Sequence, residues 1–170
     1  VDHEFTSFAE LGIFLNDCMG RSEEAINYAL VGAGNAVLET ARSLPGNYQP
    51  EIGEFPAWEE LSDETLSRRE RRGINPEDDP LLERGDLRDS YKLQVTESFS
   101  VELGSDLPEA QAHEEGTEHV PQRAVIGPAL ILAQDKARSI AGDVWIEWML
   151  NGRRLRISQT VDEQEEVTGG

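Results

Sequence analysis

A single cysteine, Cys18, stands in a chain of 170 residues. That shortage excludes an internal disulfide framework and a cysteine-based zinc site. Its simplest place is a small core position in a reducing compartment. Aromatic residues are scarce too: three Trp, three Tyr and five Phe, so part of the chain is expected to be surface arm or tail. No apolar run is long enough for a membrane span, and none is expected. Val1-Asp2-His3-Glu4-Phe5 has neither the basic start nor the apolar stretch of a secretory signal. Positive charge is the largest shortage. Fifteen Lys and Arg face thirty-four Asp and Glu, a net charge of −19. Such a field repels phosphates and argues against a protein that coats DNA or RNA. It does not bar a protein that DNA slides past without adhering.

What remains is enough for one domain with a real core. Residues 1–157 read as a single α+β domain with an irregular arm at 46–80, and 158–170 as an acidic, flexible tail. Phe5, Phe8, Leu11, Phe14, Leu15 and Cys18 recur at helical steps as far as Met19. Gly20 then stops that helix, and Ser22 is expected to cap the next, with Glu23 and Glu24 at its positive end. Ile26, Leu30, Ala33, Val37 and Ala41 carry this second stripe to Leu44. Gly32 and Gly34 inside it each cost about 1 kcal/mol against Ala, which close packing on the sheet would explain. Pro45-Gly46 ends the helix. The arm leaves room for one short helix, from Ser62 to about Arg72, capped by Ser62 and closed by Arg68, Arg69, Arg71 and Arg72.

Beyond the arm, Asp86 can cap a single turn, Leu87 to Ser90. Tyr91–Thr96 and Phe99–Leu103 alternate apolar and polar residues around a corner at Glu97-Ser98, the pattern of a hairpin. A third strand is expected within Gln111–His113 or near Val120, completing a small antiparallel sheet packed by two main helices. Pro128 suits the first turn of a helix, whose stripe runs Leu130, Ala133, Ala137, Ile140, Val144 and Trp148. A hairpin over 144–157, turning at Asn151-Gly152, is the rival. The continuing stripe favours the helix, with Arg153–Ile157 left as an edge strand.

The chemistry-bearing residues make weak constellations. His113, Glu114 and His119 are the only cluster offering a metal-dependent hydrolase. The two histidines are six apart across Gly116, so they do not share a helical face as a zinc-protease pair must. No nucleophile elbow assembles Ser, Asp and His, and the abundant carboxylates read as surface charge. Neither a catalytic residue nor a cofactor is therefore expected. An acidic mimic of DNA is a further alternative, suggested by the net charge alone.

Four segments carry a resemblance. Trp58-Glu-Glu-Leu-Ser-Asp-Glu-Thr65, then Pro80-Leu-Leu-Glu-Arg-Gly-Asp-Leu-Arg-Asp-Ser-Tyr91, then His113-Glu-Glu-Gly-Thr117, then Pro121-Gln-Arg123 stand in order between helices. In this order and spacing the chain resembles the tail-completion, or neck, proteins of tailed bacteriophages. Gly85, Leu87, Ser90, Glu115, Gly116, Thr117, Pro121 and Arg123 fall on the shared pattern. Arg84 stands where the family often has Thr, and Ala124-Val125 where it has Pro-Phe. The resemblance implies a non-enzymatic virion protein assembled from the host cytoplasm into a ring at the head–tail junction. Such a ring is expected to be sixfold, between head-completion and tail-tube or terminator proteins, with DNA passing through it. A terminator capping the tail tube is the alternative station.

Two expectations concern contacts. Arg123 has a planar fork suited to a carboxylate or to backbone carbonyls, pinning either a neighbour or its own loop. The arm, with Phe55 and Trp58 at one end and Arg68, Arg69, Arg71 and Arg72 at the other, is expected to lie on a neighbouring subunit. Trp58 would be the desolvated anchor, and the arm would be mobile in the monomer.

Overall fold

Two long antiparallel helices form the strut on which everything else rests. The computed structural model describes residues 7–75, 77–97 and 99–151. Helix α1 (Phe8–Gly20) leads into α2 (Ser22–Ser43), the arm carries α3 (Asp63–Arg71), and a single turn, α4 (Asp86–Ser90), opens the hairpin β1 (Lys92–Glu97) and β2 (Ser100–Gly104). After it come α5 (Pro108–Glu115) and α6 (Ile126–Asn151). The direction of the strut follows from two contacts. Tyr28 stacks on Trp148 with ring centroids 5.0 Å apart, and Lys136 Nζ pairs with Glu39 at 2.8 Å. Moving forward along α2 thus means moving back along α6.

Small residues let the two helices meet. Ala25, Ala29, Gly32 and Ala36 are buried along α2, and Ala129, Ala133, Val144 and Trp148 along α6. The core proper lies at the end where α2 finishes and α6 starts. There Val37, Leu38, Ala41 and Leu44 pack with Trp58, Leu81, Tyr91, Val125, Ala129 and Ala133. The fully buried Tyr91 starts the hairpin, and its carbonyl accepts from Arg42 Nη2 at 2.7 Å.

The hairpin is antiparallel, with Leu93 opposite Leu103 and Val95 opposite Val101. Leu93 explains one helical glycine: a Cβ on Gly34 would lie 2.8 Å from Leu93 Cδ1. At its corner the N–H of Phe99 donates to Asn27 Oδ1 at 2.9 Å, tying the turn to α2. Val95, nearer the tip than Leu93, is exposed.

The α+β reading holds: a two-stranded antiparallel sheet packs on α2 and α6. The expected third strand is corrected. Gln111–His113 lies inside α5, which Pro108 opens from its first turn with Glu109 behind it. Residues 144–151 continue α6, so the hairpin reading does not hold there. The proposed edge strand Arg153–Ile157, the tail 158–170 and Phe5 lie outside the described residues. Ser22 sits inside α2 with its Oγ donating to Met19 O, and Arg21 takes the cap position. Cys18 is buried, the one buried residue of α1.

Candidate interaction groove

The arm is stitched to the body. Its two ends meet where the N–H of Gly46 donates to Pro80 O at 2.8 Å. Tyr48 Oη donates to Asp78 at 2.5 Å and accepts from the N–H of Leu61 at 3.0 Å. Trp58 is buried, and its Nε1 donates to Ala124 O at 3.2 Å. The adjacent Arg123 returns the contact: its fork donates to Glu59 O at 2.8 and 3.2 Å and to Glu60 O at 3.2 Å. Arg123 therefore pins its own chain, through backbone carbonyls. Phe55 lies over the first turn of α6, where a methyl on Gly127 would overlap its ring. Ile52 and Phe55 exchange both backbone bonds to make the tight turn that presents it.

Helix α3 forms as its sequence dictates. Ser62 Oγ accepts from the N–H of Thr65 at 3.3 Å, Asp63 and Glu64 occupy the first turn, and Arg68, Arg69 and Arg71 the last. The four arginines then diverge. Arg69 is buried and donates to Glu77 O at 3.0 Å and Asp79 O at 2.6 Å, holding the arm's return. Arg72 pairs with Glu83. Arg71 bonds back to Ser67 O on an exposed helix face, and Arg68 is exposed without an ion pair to the described residues.

The other motif residues are structural in the same sense. Gly85 adopts φ +88°, the left-handed entry to α4. Leu87 packs against the core. Ser90 Oγ donates to Leu87 O or shares a hydrogen with Ser105 Oγ, both at 2.6 Å. Gly116, at φ +73°, leaves α5, and Thr117 Oγ1 accepts from the N–H groups of His119 and Val120 to make the turn. The chain then returns along α5, where the N–H of Arg123 donates to His113 O at 2.8 Å. Glu115 is exposed and accepts from Gln111 Nε2 at 3.2 Å.

The glutamate that matters is its neighbour. Glu114 Oε1 accepts from the N–H groups of both Val125 and Ile126, at 2.8 Å each. A carboxylate supplied by α5 thus satisfies orphan donors at the start of α6, where the helix dipole also favours it. Burial pushes its carboxyl pKa up, and the two amides pull it back only in part. Beside it, burial holds the His113 imidazole below its ordinary value, with the charge of Arg123 acting the same way. Burial also depresses Arg123. Tyr91 is raised by burial and then by the charge of Glu114, and its hydroxyl has no partner among the described residues.

These segments enclose a groove of about 740 Å³. Its walls come from residues 59–62 with α3, from 81–87, and from α5 with the loop 119–123. Segments 58–65, 80–91, 113–117 and 121–123 all contribute residues to it. The metal reading finds no support in this geometry: Glu114 is committed to two amides, His113 is half-buried and His119 is exposed. No group of three or more His, Cys, Asp or Glu among the described residues is placed to hold an ion. Trp58 and Arg69, expected to serve a neighbouring subunit, bond within their own chain, to Ala124 O and to Glu77 O and Asp79 O. Compared with protein families, with curated proteins and with solved structures, the chain finds no match in any of the three.

Proposed function

We propose that this chain is a structural, non-enzymatic component of a tailed-phage or phage-like particle, forming a ring at the head–tail junction through which DNA passes. One observation carries the reading. The residues that an enzyme would spend on substrate (Arg69, Glu114 and Arg123) are instead spent on backbone groups, and they knit the resembling segments into one rigid unit. A rigid unit held by such backbone contacts suits a scaffold part.

Surface composition supports the same reading. Phe8, Ile13, Leu15 and Met19 of α1 are more than half exposed, as are Leu130 and Leu132 of α6. Such apolar surface marks association. A ring needs two different patches on each copy, and α1 and the start of α6 lie towards opposite ends of the strut. The net charge of −19 lets duplex DNA pass without adhering, since at physiological salt its reach is only about 8 Å.

Counting copies tests the proposal. Quantitative mass spectrometry of purified particles is expected to find several copies per particle, near six. One copy or none contradicts the ring. An isolated protein that shifts duplex DNA at moderate salt contradicts the passive bore.

A further inference from the structure

Two apolar surfaces are left uncovered by the described residues. On α1, Phe8 is 93 % exposed, Ile13 71 %, Met19 66 % and Leu15 51 %. Phe8, Leu15 and Met19 fall at i, i+7 and i+11, one face of the helix, with Ile13 on its flank. At about 150–200 Å² for a whole side chain of this size, α1 offers roughly 500 Å² of apolar surface. Interfaces are about 57 % apolar, so this corresponds to roughly 800–900 Å² on one partner, the size of a stable contact. The second surface is the start of α6. Leu130, Ile131 and Leu132 are exposed between the buried Ala129 and Ala133. Successive helical residues point in different directions, so this stretch is apolar on every side, the pattern of a helix covered all round.

The chain does not bring the two surfaces together. Arg21, between α1 and α2, keeps helical angles of φ −99° and ψ −3°. Its N–H donates to Cys18 O and its carbonyl accepts from the N–H of Ala25. Helix α1 therefore runs on from α2 instead of folding back along it. The Lys136–Glu39 pair sets Leu130 level with the far end of α2, whose 22 residues span about 33 Å. Charge narrows the choice further. Two copies at −19 each repel over most of their surface, so they can meet closely only where charge is missing. Leu11-Gly-Ile-Phe-Leu-Asn16 and Pro128-Ala-Leu-Ile-Leu-Ala-Gln134 are both uncharged.

We propose that α1 of one copy docks on the start of α6 of a second copy, with Phe8, Leu15 and Met19 against Leu130 and Leu132. Pairing α1 with α1 would leave the α6 surface bare, whereas this head-to-tail contact covers both. It joins two different patches, so it repeats from copy to copy. The inference rests on the ring reading for its partner and names the contact between successive subunits.

The test uses the soluble full-length chain in 1 M salt, where the screening length is about 3 Å and repulsion between copies is muted. In analytical ultracentrifugation the wild type is expected to associate as concentration rises. Phe8→Gln with Leu15→Gln, and separately Leu130→Gln with Leu132→Gln, are each expected to lower the association constant at least about tenfold. All four side chains are exposed, so the changes spare the core, which circular dichroism checks. The single changes Met19→Gln and Leu132→Gln, expected to act in the same direction, stand in for a double variant that misfolds. Mixing the two double variants is expected to restore association and to stop at a dimer, because each carries one intact half. A wild type that stays monomeric to millimolar concentration overturns the proposal. So does either double variant associating alone as the wild type does, or a mixture no heavier than its parts. Several copies per particle alongside any of these results would keep the ring and discard this contact.

Discussion

Trp58 and Ala124, sixty-six residues apart in sequence, are joined by a buried hydrogen bond of 3.2 Å from the indole Nε1 to the carbonyl oxygen. This one contact turns a proline- and glycine-rich arm into part of the core. Trp58→Ala removes both the bond and a large buried ring, and is expected to cost about 3–5 kcal/mol. Trp58→Phe keeps most of the bulk but strands the carbonyl, for about 1–3 kcal/mol. Urea denaturation reads both. In hydrogen exchange of the isolated chain, the amides of Trp58 and Ile74, bonded to Gln49 O and Arg69 O, are expected to be protected. Fast exchange at both would restore the free-arm reading.

Glu114 gives a second prediction, in which the sign depends on pH. Glu114→Ala leaves the Val125 and Ile126 N–H groups unpaired and is expected to cost about 1–3 kcal/mol. Glu114→Gln keeps an acceptor and loses less. The wild-type carboxyl is raised above its ordinary 4.5, so its contribution is complete below that value and is lost as pH rises through the folded value. His113 is depressed below 6.5, so its contribution is complete above 6.5 and is lost as pH falls through its folded value. Urea midpoints between pH 7.5 and 4.5 therefore separate them. Relative to Glu114→Gln, the wild type is expected to gain stability on acidification; relative to His113→Gln, it is expected to lose it. The opposite order contradicts the burial assigned to either group.

Gly127 supplies the third prediction. Gly127→Ala improves helix propensity by about 1 kcal/mol yet overlaps the Phe55 ring. Expelling or overpacking that ring costs about 1–3 kcal/mol, so net destabilisation is expected. Adding Phe55→Ala to the variant is expected to restore the propensity gain at this position in a double-mutant cycle. A Gly127→Ala chain more stable than wild type would show that Phe55 does not lie on α6.

These residues also mark what was legible in the sequence. Local signals placed α2, α3 with its Ser62 cap, α4 and the hairpin to within a residue or two, because each rests on neighbours in the chain. The missed helix α5 had its sign in Pro108-Glu109, a proline at a first helical turn, but with one buried residue, Ala110, it carries no apolar stripe. The arm's composition announced irregular backbone and concealed where it docks. That is decided by Trp58 on Ala124 and Arg123 on Glu59, contacts across more than sixty residues. Arg123 was legible as a pin because a planar fork beside a proline-fixed loop has few uses. Glu114 was not, since nothing in its own helix shows that it serves another.

The proposed ring is tested most directly by a reconstruction of phage-like particles assembled in the presence of this chain. The account predicts a closed ring of identical copies, about six, coaxial with the tail, with an acidic or neutral bore around the DNA. Its position along the axis separates a neck ring from a cap on the tail tube. A single copy lying off the axis, or density for the chain outside the particle altogether, would contradict it.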